Sequence, residues 1–307
     1  MSAVRLKRTI FTALLALQVG IIVTGGAVRL TGSGLGCPTW PECTPGSYTP
    51  VPHQAQGALH AWIEFSNRLL TFVLVAVSLA ALIGGIRWSK NRADKKDIRL
   101  LALGQFLGIF AQGILGGITV LTQLNPIPVA GHFLLSLPLI AGALALRQKI
   151  LLKEGSPTHP TSQLLAKILI PLTVLVVTLG TVVTGSGPHA GDEQAKRFGF
   201  DPQMVSWLHA DTVIALICLT IALILVNRVT RTTSTNNDFD KAVKIFLAVS
   251  LAQGTLGYIQ YFTGLPELIV GLHLLGSGLV WTAAWNLKLK GNINYFTRES
   301  KGTEHGA

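Results

Sequence analysis

Residues 111–136, AQGILGGITVLTQLNPIPVAGHFLLS, and residues 252–277, AQGTLGYIQYFTGLPELIVGLHLLGS, are the same segment written twice. They align without a gap and are identical at twelve of twenty-six positions, including a histidine in each copy, His132 and His273. Each copy is an apolar stretch, a short Pro-containing turn and a second apolar stretch. The repeat unit is therefore a pair of membrane helices rather than a solenoid module.

The rest of the chain agrees with that reading. It has 307 residues, 49% hydrophobic and 13% charged, with a mean hydropathy of +0.50, the range of integral membrane proteins. Eight windows, 9–28, 62–86, 100–121, 129–146, 166–184, 206–226, 245–262 and 267–286, approach or exceed the ~20 apolar residues a span needs. None alternates polar and apolar residues as a barrel strand would. The expected fold is an all-α integral membrane protein of eight transmembrane helices.

A net charge of +11 raises nucleic-acid binding as a function, but the distribution rejects it. Arg5, Lys7 and Arg8 precede the first window, and Arg87, Lys90, Arg92, Lys95, Lys96 and Arg99 follow the second. Arg147, Lys149, Arg228, Arg231, Lys288 and Lys290 follow the fourth, sixth and eighth, whereas the opposite loops hold only Arg29, Lys196 and Arg197. By the positive-inside rule both termini are cytoplasmic, and loops 29–61, 122–128, 185–205 and 263–266 face outward. The basic balance is a topology signal, with lipid headgroups as its partner. The first window lacks a cleavage site and reads as a retained span of a bacterial plasma membrane, and the tail after Lys288 reads as polar and mobile.

The repeat extends beyond its best-matching segment. Leu30-Thr31-Gly32-Ser33-Gly34 after the first window is answered by Val183-Thr184-Gly185-Ser186-Gly187 after the fifth. The chain thus divides into two pseudo-symmetric four-helix bundles, 1–147 and 148–290, followed by a cytoplasmic tail, 291–307. A bundle of this kind can hold a cofactor between facing helices, and Gly25, Gly26, Gly116, Gly117, Gly254 and Gly257 would let helices approach closely.

Of the eight histidines, His53, His159, His189 and His305 fall in loops or the tail and read as solvated. His132, His209 and His273 lie at the outer ends of even-numbered helices. Intramembrane histidines are rare and face bundle interiors. Such an imidazole suits haem iron or zinc, or hydrogen-bonds a neighbouring helix. Matching depth on two helices of one half favours haem ligated by His209 and His273, and zinc would want three or four converging ligands.

The first half breaks the symmetry. His209 lies 43 residues before Ala252, and the same count before Ala111 falls at Arg68, next to Asn67. Asn67 thus takes the slot of a histidine, so the first half binds haem through His132 alone or recruits His60, two turns earlier. Glu64 beside that slot could take protons or stabilise positive charge, or could simply pair with Arg68. Arg29 and Arg68 are candidates for haem propionates or for headgroup snorkelling. Cys37 and Cys43 in GCPTWPEC, on an oxidising face, favour a disulfide; a redox-active or transiently haem-binding pair is the sharper alternative. Cys218 reads as a packing residue.

Together these residues resemble the haem A synthase family. The resemblance covers nearly the whole chain and is most specific at Gly25-Gly26-Ala27-Val28-Arg29-Leu30-Thr31-Gly32-Ser33-Gly34-Leu35. The cysteine pair, Glu64 with Arg68, and His132, His209 and His273 extend it. The family's helix-2 pattern is Glu, two residues, His, Arg; this chain reads Glu64-Phe65-Ser66-Asn67-Arg68 and lacks the histidine. It also lacks the second outer-loop cysteine pair that some members carry. The resemblance implies haem b between His209 and His273, with haem O as substrate near His132 and Glu64. One macrocycle methyl would become a formyl group through an alcohol, with water as oxygen source. Implied partners are haem O synthase, the terminal oxidase assembly machinery, an unidentified electron acceptor and a second copy of the chain. The competing readings are a dihaem electron-transfer cytochrome, which should supply two complete bis-histidine sites, and a haem carrier without chemistry. A transporter fits poorly, because no Gly/Pro-broken helix pair crosses the midplane.

Overall fold

The computed structural model describes residues 3–54, 57–152, 158–230 and 237–291. Eight helices account for most of them: α1 (Ala3–Leu30), α2 (Ala58–Trp88), α3 (Lys95–Leu121), α4 (Pro126–Ile150), α5 (Pro160–Ser186), α6 (Pro202–Val229), α7 (Asn237–Phe262) and α8 (Glu267–Lys290). All eight are long and apolar enough to cross a membrane, and the chain is a multi-pass membrane protein. Residues 292–307 of the expected tail, with His305, and Arg231 lie outside the described residues.

Helices of 24 to 31 residues span about 36–47 Å at 1.5 Å per residue. That exceeds the hydrocarbon thickness, so every helix outruns its apolar window into the interfacial layers. The caps sit there. Asn125, His159 and Asp201 each accept from the backbone N–H two residues on, and a proline follows each at the first helical position. The side chain satisfies one open N–H while the proline lacks one that would go unpaired. His159, expected as a loop histidine, is one of these caps.

Each helix of α1–α4 packs on the next and α1 closes on α4; α5–α8 do the same, with α5 closing on α8. Contacts of α1 and α4 with α8, and of α4 with α5, join the two rings. Hence α1, α4, α5 and α8 are central and α2, α3, α6 and α7 peripheral. The first ring's core is built on Phe11, Leu14, Ala81, Ala102, Ala143 and Leu146, and the second on Leu169, Leu216, Leu223, Phe246 and Leu287. Trp281 sits at the junction and its Nε1 donates to the Leu137 carbonyl at 2.7 Å. Cys218 does not pack inside. It is exposed on α6, because it points away from the buried stripe of Leu216, Thr220 and Leu223.

At the opposite end from the paired histidines, Asp94 accepts from Arg92 at 2.8 Å and from buried Lys149 at 3.2 Å. Burial pushes the Asp94 carboxyl up, but Arg92 and Lys149 outweigh it and hold the group below the usual aspartate range. A depressed folded-state pKa gives stability that is present above the unfolded value and is lost as pH falls through the folded one. Asp94→Asn should therefore lower the Tm near neutral pH, with the gap from wild type closing as the pH falls below the ordinary aspartate range. Thermal unfolding of both purified proteins as a function of pH checks this.

Candidate functional site

Three imidazoles are seated in the same way. His132 on α4 lies with Cε1 3.3 Å from where a Cβ on Gly116 of α3 would be, His209 on α6 likewise 3.3 Å from Gly180 of α5, and His273 on α8 3.2 Å from Gly257 of α7. Only glycine leaves the ring ordinary contact distance there. Each ring is thus cradled, edge-on, by the helix that precedes its own.

The ring nitrogens are the telling atoms. His209 Nδ1 lies 3.0 Å from the Val176 carbonyl. A carbonyl only accepts, so Nδ1 carries the hydrogen and Nε2 presents a lone pair, the form a metal ligand needs. His132 Nδ1 and His273 Nδ1 are buried with no hydrogen-bond partner among the described residues. A buried polar atom left unsatisfied is costly unless something absent from the protein uses the ring. These features fit an iron macrocycle held between α6 and α8.

The glutamine of the repeated AQG triplet was not read as functional from sequence, although its duplication was the signal. Gln253 Nε2 donates to the His273 carbonyl at 2.6 Å, and only a glycine at 276 leaves room for its amide. Gln112 Nε2 donates to Ser136 Oγ at 2.9 Å, four residues beyond His132. Both ties fix the histidine-bearing turn of the next helix.

The first half differs at one position. Buried residues Leu216, Thr220, Leu223 and Asn227 form the inner stripe of α6. Leu74, Ser78, Ala81 and Gly85 form that of α2 at the same spacing. Extended by two turns, the α6 stripe reaches His209 and the α2 stripe reaches Asn67, not Arg68. Asn67 Oδ1 accepts from Thr24 Oγ1 of α1 at 2.7 Å. Both residues border a groove of about 380 Å³ that Ala27, Trp62, Ile63, Ser66 and Leu70 complete.

Glu64, one turn before Asn67 and itself buried, reaches with Arg68 into the first outer loop. That loop is closed by a disulfide between Cys37 and Cys43, as the spacing led us to expect. Buried Glu64 accepts from the Cys37 N–H at 2.7 Å through Oε2 and from Arg68 at 2.6 Å through Oε1. Arg68 also donates to the carbonyls of Cys37 (2.9 Å), Thr39 (3.0 Å) and Glu42 (3.2 Å). The pair grips the loop at both ends. Trp40 of that loop lies flat on α3, 2.5 Å from where a Cβ of Gly117 would stand, one residue from the glycine that cradles His132.

His60 and Arg29 are likewise occupied. His60 Nδ1 is 2.9 Å from Ser33 Oγ, which is 2.8 Å from Thr31 Oγ1. Gly36 touches the His60 backbone so closely that no side chain fits. Arg29 donates through Nη2 to the Thr184 carbonyl at 2.8 Å and through Nε to the His189 carbonyl. His189 Nε2 in turn meets the Leu265 carbonyl at 2.8 Å, so this histidine is tied down rather than solvated. Arg29 thus latches the first half's signature to the outer loops of the second. The structure gathers Glu64, Arg68, Cys37 and Cys43 in one cluster, seats His209 and His273 in matching glycine cradles of the second ring, and leaves His60 at the loop.

A family model described as COX15-CtaA, cytochrome oxidase assembly protein, matches residues 8–285. A heme A synthase of Exiguobacterium sibiricum is 31% identical over 183 residues, 59% of this chain and 58% of its own length. One from Methylobacterium radiotolerans is 31% identical over 217 residues, 60% and 57% respectively. One from Bacillus pumilus is 29% identical over 190 residues, 59% and 58%. The matched stretches thus span less than two thirds of these relatives' length. The family match, by contrast, runs from the first helix into the last, and the chain belongs to the COX15-CtaA family of cytochrome oxidase assembly proteins.

Proposed function

We infer that this chain is a haem A synthase, which oxidises one macrocycle methyl of haem O to the formyl group of haem A, through a hydroxymethyl stage, for cytochrome oxidase assembly. Family membership and relatives named heme A synthase support the reading. The observation that carries it is the pair of imidazoles, His209 and His273, each seated against a glycine of the preceding helix within one four-helix ring. In this reading residues 1–147 form the substrate half, where His132 receives haem O, and 148–290 the cofactor half, where His209 and His273 hold haem b.

Haem b, when bound, supplies one-electron transfer. The chain's own residues supply the rest. The Val176 carbonyl keeps the His209 ring in one tautomer, and Gln253 holds the turn that carries His273. The Glu64–Arg68 pair keeps the disulfide loop, with Trp40, folded beside the His132 site. Methyl plus water to formyl releases four electrons and four protons. Water supplies the oxygen, and the electrons leave to an acceptor outside the chain.

The protein sits in a bacterial plasma membrane with both termini cytoplasmic, which the clustering of basic residues at one end of the helices supports. Haem O synthase and the oxidase assembly machinery are its upstream and downstream partners. Expression in cells that make haem O but no haem A, followed by haem extraction and mass analysis, tests the activity. Haem A is the expected product. Haem B alone, reduced rapidly by quinol, would mean an electron-transfer cytochrome instead.

A further inference from the structure

We propose that the first half holds its haem through His132 alone, leaving the iron's second axial position open to a small exogenous ligand beside the Asn67 amide. The inference deepens the proposed function and rests on it. Leu74, Ser78, Ala81 and Gly85 of α2 repeat the spacing of Leu216, Thr220, Leu223 and Asn227 of α6 and put Asn67 where α6 presents His209. A carboxamide cannot replace imidazole there. Its nitrogen lone pair is delocalised into the carbonyl, and its oxygen is a weak donor that already accepts from Thr24 at 2.7 Å.

No neighbouring side chain fills the vacancy in the ligand set. His60 is seven residues earlier, about 10 Å along the helix axis. Glu64 has both oxygens committed to Cys37 and Arg68. What the position does offer is Asn67 Nδ2, which makes no hydrogen bond among the described residues. It lies 4.0 Å from where a Cβ of Gly25 would stand and borders the groove of about 380 Å³ between α1 and α2. The groove is open there, so an N–H donor on its wall is accessible from outside. The corresponding position of the second half is closed by an imidazole whose Nδ1 is fixed on Val176. The two sites therefore differ in kind: one is saturated by protein, the other has a free face.

Carbon monoxide is the direct test. The purified protein is titrated with haemin to two haems per chain, reduced and exposed to the gas. One of the two haems should give a carbon monoxide adduct, seen as a Soret shift. Asn67→His should abolish the adduct while both haems stay bound, and His132→Ala should remove the reacting haem and spare the other. Wild-type protein with two haems and no adduct overturns the proposal. So does an unchanged adduct in either variant. Failure to take up a second haem contradicts the proposed function and the inference with it, which separates the two kinds of failure.

Discussion

Changing both His209 and His273 to alanine abolishes the resident haem and, with it, all haem A formation, while the eight-helix protein still inserts and accumulates. The loss is expected to be complete because the two rings are the whole of the proposed ligand set on α6 and α8. The Val176 carbonyl that steadies His209 and the Gln253 amide that steadies His273 have no other ring to hold. Folding should survive, since both rings lie above the apolar core of the second half, and truncation at the rim leaves that core intact. Each single variant is expected to retain a weakly held haem with altered spectra, because one imidazole remains. Absorption spectra of the purified variants, normalised to protein, check this. A double variant with the wild-type spectrum would contradict it.

Glu64→Gln is expected to open the disulfide loop and lower haem A formation by at least tenfold, with the spectrum of the second-half haem unchanged. Glu64 is buried, and its charge holds both the Cys37 N–H and the Arg68 guanidinium. Each charge-assisted hydrogen bond contributes about 1.5–3 kcal/mol. Losing about 2 kcal/mol of anchoring exposes the loop roughly thirtyfold more often. Arg68→Ala should reproduce both effects, because it removes the contacts to the Cys37, Thr39 and Glu42 carbonyls. Reduction and alkylation of Cys37 and Cys43 measures the opening, and haem A yield measures the reaction. If Glu64 takes protons from the substrate instead, Glu64→Gln loses activity with the loop still closed, and Arg68→Ala spares more activity than Glu64→Gln. Rescue of loop closure by Glu64→Asp without rescue of turnover would also favour the proton role.

The parts of this protein legible from sequence are those written locally. Apolar windows revealed every helix, because a membrane span must satisfy its backbone internally over a fixed thickness. They fell short at both ends, since hydropathy measures the hydrocarbon layer while Asn125-Pro126, His159-Pro160 and Asp201-Pro202 mark where the helices begin. The histidines stood out because imidazole is rare in that layer, and Cys37 with Cys43 because only five residues lie between them on one loop.

Long-range pairing was not legible. Arg29 and Arg68 were candidates for propionates, yet the carbonyls they meet come from loops that fold back over the helix ends. Nothing in the local sequence of Trp40 shows that it lies on Gly117. The count from the AQG triplet falls one residue past Asn67, which the sequence nevertheless marks as the counterpart of His209. The buried stripe of α2 agrees with Asn67, because register on a helix is a matter of which face is inside.

The claim beneath all of this is that imidazoles from α6 and α8 grip one iron. Electron paramagnetic resonance of the oxidised, purified wild-type protein from haem-replete cells tests it most directly. The account predicts a low-spin ferric signal of bis-imidazole type that disappears in the His209→Ala, His273→Ala double variant. A colourless preparation, or high-spin iron as the sole haem signal, would contradict it.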